Sequence, residues 1–223
     1  MGLSTFAVVQ DNCDGGTCGC DPGGCFTNCD YFCFAEEINT TGGCNGCGPR
    51  PGNAATRAGA LIRVPMLQDH FWSNPPDPNN TNSLLSWVDN ACDDAEAFAV
   101  GATPLNGTLR DMKRYFQASW TAPDGSSTFS TPLASQDLAG TGVNGSTGCR
   151  SVNVILLTDG DETCDAQADA VAAATDLYQN GVTVGGKIFK VRVHVINFAG
   201  GNQVNTDAIA AAGGTTSSYF ATN

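Results

Sequence analysis

Two short segments of the chain carry oxygen donors suited to a divalent cation. The apolar run that begins at Asn153 ends in Thr158-Asp159-Gly160, and Thr103-Pro104-Leu105 lies well upstream of it. Mg²⁺ accepts a carboxylate and a hydroxyl while it keeps several waters. We therefore predict that Thr103 and Asp159 are metal ligands, with the ion being Mg²⁺ or, in its place, Ca²⁺ or Mn²⁺.

Simpler interpretations exist for the same residues. Thr103 can act as a helix N-cap with Pro104 at the first helical position, and Asp159 can serve as a turn former before Gly160. More carboxylates follow, at Asp161, Glu162 and Asp165. A solvated acidic turn that leads into a helix N-terminus, where the helix dipole favours negative charge, explains these three without a metal.

The elements around these segments alternate between strand and helix. The run at 153–158 reads as a buried parallel strand that delivers Asp159 to the carboxyl edge of a sheet, where open α/β folds bind ligands. Helices are predicted from Thr103 onward, with Leu105, Leu109, Met112 and Phe116 as a buried stripe, and at 165–179, with a small-residue face and a stop at Asn180-Gly181. Further strands are predicted at 3–10, 61–66, 188–198 and 218–221, short helices at 83–91 and 206–212, and a long surface loop at 118–148. This order predicts an α/β fold with a mostly parallel sheet and helices on both faces.

Cysteine usage indicates an oxidising compartment. The chain has 11 cysteines in 223 residues, and eight of them fall in residues 11–50 among many glycines. We interpret 11–50 as a loop-rich insertion held by disulfides, within a single domain that spans 1–223. Cys44 and Cys47 have the spacing of a redox or zinc half-site, but disulfide staples are favoured there. Cys92 and Cys164 form a plausible pair, because both lie near loops placed at the ligand edge.

Charge and motif content restrict the function classes. The net charge of −12 argues against nucleic acid or an anionic membrane surface as a partner. No apolar run is long enough to span a membrane. Neither His70 nor His194 is accompanied by a nucleophile in a recognisable arrangement, and the chain has no nucleophile elbow or phosphate-binding loop. These features point to a protein that is not an enzyme.

The motifs resemble those of the von Willebrand factor A family. The resemblance rests on Thr103-Pro104-Leu105, on residues 155–160 (ILLTDG) and on residues 208–215 (AIAAAGGT), and bacterial surface members such as the domain of type IV pilus tip adhesins look most similar. It implies a Rossmann-like α/β fold in which Thr103 and Asp159 share one divalent cation. It also implies that a carboxylate of a protein or matrix partner completes the shell of that ion, at the cell surface or outside the cell.

One part of the family pattern is missing. The family also needs an Asp-x-Ser-x-Ser loop after its central first strand, and the candidate that follows an apolar run here, residues 11–15, has Cys13 and Gly15 in place of both serines. The favoured explanation is that the domain is incomplete at its N-terminus and lacks that strand. We then expect the ion to be weakly held or absent, and the isolated chain to be marginally stable or prone to aggregation.

The sequence thus predicts a non-enzymatic extracellular adhesion domain that binds protein or matrix through a divalent cation. The alternative is a metal-independent structural or assembly module of a surface or secreted complex. A redox or zinc-dependent activity at the cysteine cluster ranks last.

Overall fold

The computed structural model describes residues 2–6, 9–11, 30–32, 49–50, 53–57, 60–66, 79–87, 103–121, 128–134, 151–198 and 200–221. The strands are β1 (Leu3–Phe6), β2 (Val9–Asp11), β3 (Asp30–Phe32), β4 (Pro49–Arg50), β5 (Asn53–Arg57), β6 (Ala60–Val64), β7 (Trp120–Thr121), β8 (Thr128–Phe129), β9 (Val152–Thr158), β10 (Val182–Val184), β11 (Lys187–Phe189), β12 (Val191–Phe198) and β13 (Tyr219–Ala221). The helices are α1 (Asn79–Leu85), α2 (Leu105–Gln117), α3 (Gln167–Thr175) and α4 (Gln203–Ala212).

A three-stranded parallel sheet with the order β13-β12-β9 forms the centre of the described fold. β9 and β12 run in parallel register from Val152 opposite Val191 to Thr158 opposite Asn197. On the other side of β12, β13 is also parallel, with Tyr219 opposite Ile196. Because α3 lies between β9 and β12 in the chain and α4 between β12 and β13, the predicted α/β class with a parallel sheet is confirmed.

Helices cover one face of this sheet in the described part of the chain. α4 packs against β12, and α3 packs against both α2 and α4. Burial therefore alternates along β9, where Val154 is buried while Ile155 and Leu157 are 63% and 54% exposed. The prediction of a buried strand is wrong for β9, because the described helices cover one of its faces and the residues of the other face are exposed. The core on the covered face includes Leu105, Leu109, Val152, Val154, Leu156, Ala170, Ala174, Leu177, Val193, Val195 and Ile209.

α2 agrees with the helix predicted from Thr103 onward, although its start differs from the prediction. All four residues of the predicted stripe are buried, namely Leu105, Leu109, Met112 and Phe116. The helix begins at Leu105, and the residue before it is Pro104, with φ −84° and ψ 64° and no capping side chain. The prediction that Thr103 is the N-cap is therefore wrong, and the Thr103 side chain is left for another role.

The other helices are found with shifted boundaries. α1 lies at Asn79–Leu85 instead of 83–91. α3 begins at Gln167, two residues after the predicted start, and a π-helical turn over Asp176–Asn180 carries it to Gly181, whose φ of 68° ends it as predicted. α4 begins at Gln203 because the Asn202 side chain accepts a hydrogen bond from the Val204 N–H.

The predicted strand at 188–198 is two elements. Residues 182–189 form the antiparallel hairpin of β10 and β11, and β12 begins only at Val191. The turn of the hairpin is Gly185-Gly186, with φ values of 57° and 77°. A glycine pair is a strong signal for a two-residue hairpin, since both turn positions need positive φ. Ile188 on this hairpin is 67% exposed and belongs to β11, not to β12 as the predicted strand at 188–198 implies.

The N-terminal strands differ in extent from the predictions. The strand predicted at 3–10 is found as β1 and β2, and the strand predicted at 61–66 is β6, which ends before Pro65. β1 and β6 pair antiparallel, with Leu3 opposite Val64 and Phe6 opposite Ala60. The backbone of β6 is tied to α2, because the Ala60 N–H donates to Asp111 Oδ2 at 3.1 Å.

The region predicted as a surface loop at 118–148 contains packed structure in its first part. β7 and β8 form a short antiparallel hairpin, and a 3₁₀ turn follows at Pro132–Ala134. Trp120 is buried and stacks on Phe129, and Leu133 is fully buried. The loop prediction is wrong for these residues, because tertiary burial selects them without any periodic pattern. Residues 135–150 lie outside the described part.

Most of the cysteine-rich segment also lies outside the described residues. Within 11–50 the structure describes β3, β4 and the end of β2, with β2 paired to β3 and β4 paired to β5. Cys44, Cys47 and Cys92 are not among the described residues, and neither is His70. Cys164 is described and is disulfide-bonded, with a partner outside the described ranges.

Candidate functional site at the carboxyl edge of the sheet

The two turns singled out in the sequence lie against each other. The Thr103 N–H donates to Thr163 Oγ1 at 2.7 Å, and the Thr163 N–H donates to the Thr103 carbonyl at 3.2 Å. A Cβ placed on Gly160 would lie 3.2 Å from Thr103 Oγ1. The structure therefore brings the buried Thr103 hydroxyl directly onto the turn that follows β9.

The turn after β9 is shaped by Thr158. This buried residue donates from its hydroxyl to the Gly160 carbonyl at 2.8 Å and accepts from the Gly160 N–H at 3.2 Å. These bonds turn the chain sharply at the carboxyl end of the strand. Asp159, at the tip of the turn, is exposed, which is the placement predicted from the sequence.

Glu162 joins this turn to the start of α2. Its Oε2 accepts from the Asn106 N–H at 2.5 Å, and its Oε1 accepts from the N–H groups of Cys164 and Asp165 at 2.8 and 3.1 Å. Asp165 Oδ2 accepts from Asn106 Nδ2 at 2.9 Å. Both carboxylates thus satisfy groups at a helix N-terminus, in keeping with the interpretation that needs no metal.

Asp161 joins the turn to the loop after β12. Its Oδ1 accepts from the Asn202 N–H at 2.9 Å. The same loop passes close to the turn at Gly200, where an added Cβ would lie 2.5 Å from the Asp159 carbonyl. Gly200 is therefore required by a close backbone approach, and the edge of the sheet is closed on this side.

Two side chains at this edge remain available as cation ligands after these hydrogen bonds are assigned. In the part of the chain that the structure describes, neither Thr103 Oγ1 nor the Asp159 carboxylate forms a hydrogen bond or ion pair with a protein group. They are the two side chains that the sequence analysis selected as metal ligands. The neighbouring carboxylates accept hydrogen bonds, Asp161 and Glu162 from backbone N–H groups and Asp165 from the Asn106 side chain, so these acids have a structural role.

The donor set is chemically suited to a hard cation but small. A hydroxyl and a carboxylate are oxygen ligands, which Mg²⁺, Ca²⁺ and Mn²⁺ prefer. Within the described ranges, no group of three or more His, Cys, Asp or Glu side chains is placed to hold a metal. A cation bound by Thr103 and Asp159 would therefore need water and further ligands from elsewhere.

A buried polar network, which the sequence motifs do not predict, supports the same edge. Asn197, at the end of β12, donates from Nδ2 to the Gly201 carbonyl at 2.9 Å and to Thr206 Oγ1 at 3.3 Å. Thr206 Oγ1 lies 3.0 Å from Ser218 Oγ, which donates to Asp207 Oδ1 at 2.6 Å. The signal in the sequence is an Asn at a position that shares the buried face of β12 with Val191, Val193 and Val195.

The electrostatics of this network centre on Asp207. The Ser218 hydroxyl and the Ser218 N–H both donate to its carboxylate and lower its pKa, against a smaller opposing effect of burial. The Asn197 Oδ1 atom is buried and has no hydrogen-bond partner in the described structure. The network fixes the 200–202 loop beside Asp159 and Asp161.

His194 lies away from this edge, on the exposed side of β12. Its Nε2 is 3.4 Å from Asn153 Oδ1 on the neighbouring strand. This contact joins residues of two neighbouring strands, β9 and β12, and indicates a structural role for His194.

Comparison with known proteins identifies no relative, since the chain matches no protein-family model, no curated protein and no solved structure. Among the described helices, none is both long and apolar enough to cross a membrane.

Proposed function

We propose that this chain is a von Willebrand factor A-like binding domain in which Thr103 and Asp159 contribute to a divalent-cation site. The observation that supports this most directly is the contact of the Thr103 side chain with the 158–160 turn, combined with the absence of protein partners for Thr103 Oγ1 and the Asp159 carboxylate in the described structure. The parallel sheet and the position of the turn at its carboxyl edge agree with that family.

The proposed role of the ion is to bridge the domain to a partner. Asp159 supplies charge and Thr103 a neutral oxygen, so the ion keeps positive charge and open positions for a carboxylate from a protein or matrix ligand. Water fills the remaining positions until the partner arrives. The proposal involves binding alone, without catalysis.

The ion itself is expected to bind weakly. Two protein ligands and water give a dissociation constant of about the millimolar range, as in low-affinity extracellular calcium modules. The chain lacks the Asp-x-Ser-x-Ser loop that supplies further ligands in the family. Mg²⁺, Ca²⁺ and Mn²⁺ are all compatible with the two oxygen donors.

The location we propose is extracellular or at the cell surface. Eleven cysteines and the disulfide at Cys164 favour an oxidising compartment. The acidic balance of −12 disfavours nucleic acid and anionic membranes as partners.

The alternative is a metal-independent assembly module. It is favoured by the observation that Asp161, Glu162 and Asp165 are all engaged in hydrogen bonds that hold the turn together. In that case the acidic edge would be structural. Partner binding that is unchanged by EDTA would support this alternative over the cation-dependent function.

Calorimetric titration of Mg²⁺ and Mn²⁺ into the protein and two variants tests the site. Thr103→Val removes the hydroxyl at nearly constant volume, and Asp159→Asn removes the charge. Each is expected to weaken cation binding about tenfold or more, because each removes one of two protein ligands.

Matched controls separate the site from general acidity. Thr183→Val and Asp169→Asn make the same chemical changes at exposed positions on β10 and α3. They should leave the affinity unchanged. Equal losses in the controls and in the site variants would show diffuse cation attraction and would refute the site.

A further inference from the structure

Two buried side-chain oxygens near the carboxyl edge of the sheet have no hydrogen-bond donor in the described structure. They are Asn197 Oδ1, on β12, and Gln167 Oε1, on the first residue of α3. The Asn197 residue is fully buried, with an exposed fraction of 0%. Both side chains and the residues bonded to them belong to the described part of the chain. Because a buried acceptor without a donor loses the free energy of its hydration, each oxygen needs an explanation.

The orientation of both amides is fixed by the bonds of their nitrogens. Asn197 Nδ2 donates to the Gly201 carbonyl at 2.9 Å and to Thr206 Oγ1 at 3.3 Å. Gln167 Nε2 donates to the Asn205 carbonyl at 3.1 Å. Turning either amide over would place its oxygen against a carbonyl oxygen and would remove these bonds. Exchange of the two amide atoms therefore does not satisfy the oxygens.

The hydroxyls of the Asn197 network have other acceptors for their hydrogens. Ser218 Oγ donates to Asp207 Oδ1 at 2.6 Å. Thr206 Oγ1 accepts from Asn197 Nδ2 and donates to the Gln203 carbonyl at 3.1 Å. Among the groups that the structure describes, this network thus offers no donor to Asn197 Oδ1.

The two oxygens border one polar layer between β12, α3 and α4. The groups that bond to Gln167 and Asn197 belong to the consecutive residues Asn205 and Thr206 of α4, which packs against both α3 and β12. Gly201 lies beside the same layer. A Cβ on Gly201 would be 2.9 Å from Asn197 Oδ1, so a side chain at this position would occupy the space next to the oxygen.

We propose that internal water is bound in this layer and donates hydrogen bonds to Asn197 Oδ1 and Gln167 Oε1. Internal water in proteins typically satisfies buried polar groups that have no protein partner. Water is favoured over a cation because both oxygens are neutral amides, and the acid of this network, Asp207, already accepts two bonds from Ser218. Burial of a cation without a nearby unpaired counter-charge would be costly.

The bound water supports the loop that borders the turn after β9. Asn197 holds the Gly201 carbonyl of this loop, and the Asn202 N–H of the same loop donates to Asp161 at 2.9 Å. Water that completes the hydrogen bonding of the Asn197 amide therefore stabilises the loop beside the acidic turn. The water is expected whether or not a cation binds at this edge.

Nuclear Overhauser contacts between water and side-chain amides test the proposal in the full chain. The side-chain NH₂ groups of Asn197 and Gln167 should show laboratory-frame and rotating-frame cross-peaks of opposite sign with water, as a long-lived bound water does. Asn180 is the control, because its Nδ2 also donates a hydrogen bond, to Asp176, but at an exposed position. Its NH₂ group should show only the brief contacts of surface water.

Thr206→Val separates a water contact from proton exchange through the Thr206 hydroxyl. This substitution nearly conserves volume and removes the hydroxyl that lies 3.3 Å from Asn197 Nδ2. The water cross-peak of Asn197 should remain in the variant. Gln167 bonds to a backbone carbonyl, so its cross-peak in the unaltered protein needs no variant.

Three results would overturn the proposal. The first is the absence of a long-lived water cross-peak at either side chain of the unaltered protein. The second is the loss of the Asn197 cross-peak in folded Thr206→Val. The third is a saturable shift of the Asn197 and Gln167 side-chain amides with NaCl or KCl, which would show that a monovalent cation occupies the layer in place of water.

Discussion

At the scale of single residues, the acidic turn combines carboxylates with different tasks. Glu162 accepts three backbone N–H groups, whereas Asp159, three positions earlier, is exposed and has no protein partner in the described structure. Composition cannot separate these tasks, because both residues are acids in the same turn. The separation comes from the direction of each side chain after the bend at Thr158 and Gly160.

Replacement of Glu162 should destabilise the fold. Glu162→Ala leaves the N–H groups of Asn106, Cys164 and Asp165 without their carboxylate, and we expect a loss of about 2 kcal/mol in the free energy of unfolding. Urea denaturation measures it. Asp169→Ala, at an exposed acid of α3, is the control and should change stability little. Equal effects of the two substitutions would contradict the structural role.

Tyr115 is expected to make stability depend on alkaline pH. Burial raises its pKa, against the opposing effect of the bond that its hydroxyl accepts from the Met66 N–H at 2.7 Å. A raised folded-state pKa gives stability that is present below the unfolded pKa and is lost as the pH rises through the folded pKa. Tyr115→Phe should weaken this alkaline loss and also cost about 1 kcal/mol at neutral pH.

Denaturant unfolding at neutral and alkaline pH checks this prediction. Tyr219→Phe is the matched control, because Tyr219 is 62% exposed. The control should reproduce the pH dependence of the unaltered protein. An unchanged alkaline loss in Tyr115→Phe would show that another group is responsible.

At the scale of elements, Asp207 connects β13 to α4. Because the Ser218 hydroxyl and N–H lower its pKa, the contact stabilises the fold above the unfolded pKa and is lost as the pH falls through the folded pKa. Acid should therefore release β13 locally. In the Asp207→Asn variant, the amide protection factors of β13 should be lower at neutral pH and should no longer fall as the pH is lowered.

Hydrogen exchange of the Asp207→Asn and Asp169→Asn variants separates this contact from general charge effects. The Asp169→Asn variant should retain the acid-dependent protection of β13. If Asp207→Asn retains it as well, the Asp207–Ser218 contact does not secure the strand.

Elements with a strong hydrophobic period or a strong helix-stop signal could be predicted from the sequence. The stripe of α2 and the Gly181 stop were sufficient to place those two features. Elements whose residues are buried without a periodic hydrophobic pattern could not be predicted. Trp120 in the β7–β8 hairpin is the clearest case. The hairpin at Gly185-Gly186 has a readable signal, but the predicted strand at 188–198 joins part of β11 to β12 and leaves β10 unpredicted.

In the candidate site, too, residues within short motifs could be predicted, whereas residues joined only by tertiary contacts could not. Asp159 and Thr103 were identified from two short motifs, and the structure places their turns in contact. The Asn197 network could not be identified, because it joins β12, α4 and the start of β13, and no local pattern connects these segments. Contacts of that kind depend on the tertiary arrangement alone.

At the scale of the whole molecule, the chain is an α/β protein whose parallel sheet carries its polar chemistry at the carboxyl edge. Helices cover one face of the sheet, and the opposite face exposes Ile155 and Leu157 in the described part. The carboxyl edge and this exposed face are adjacent, because Leu157 comes two residues before Asp159 on the same strand and its turn.

The disulfide-bonded Cys164 lies in the turn at the carboxyl edge of the sheet. Cys92 remains the predicted partner. If the two are paired, Cys92→Ser, Cys164→Ser and the double variant should lose the same stability, about 2–4 kcal/mol. Denaturant unfolding under non-reducing conditions measures these losses. A double variant that loses about the sum of two separate losses would contradict the pairing.

The most direct test of the proposed function is a Mg²⁺ titration of the labelled protein followed by amide NMR, with NaCl at matched ionic strength as the reference. We predict saturable shifts confined to the amides of Thr103, Asp159, Gly160 and their immediate neighbours, with half-saturation in about the millimolar range. Absence of saturable shifts, or equal shifts at all acidic residues, would contradict a cation site formed by Thr103 and Asp159.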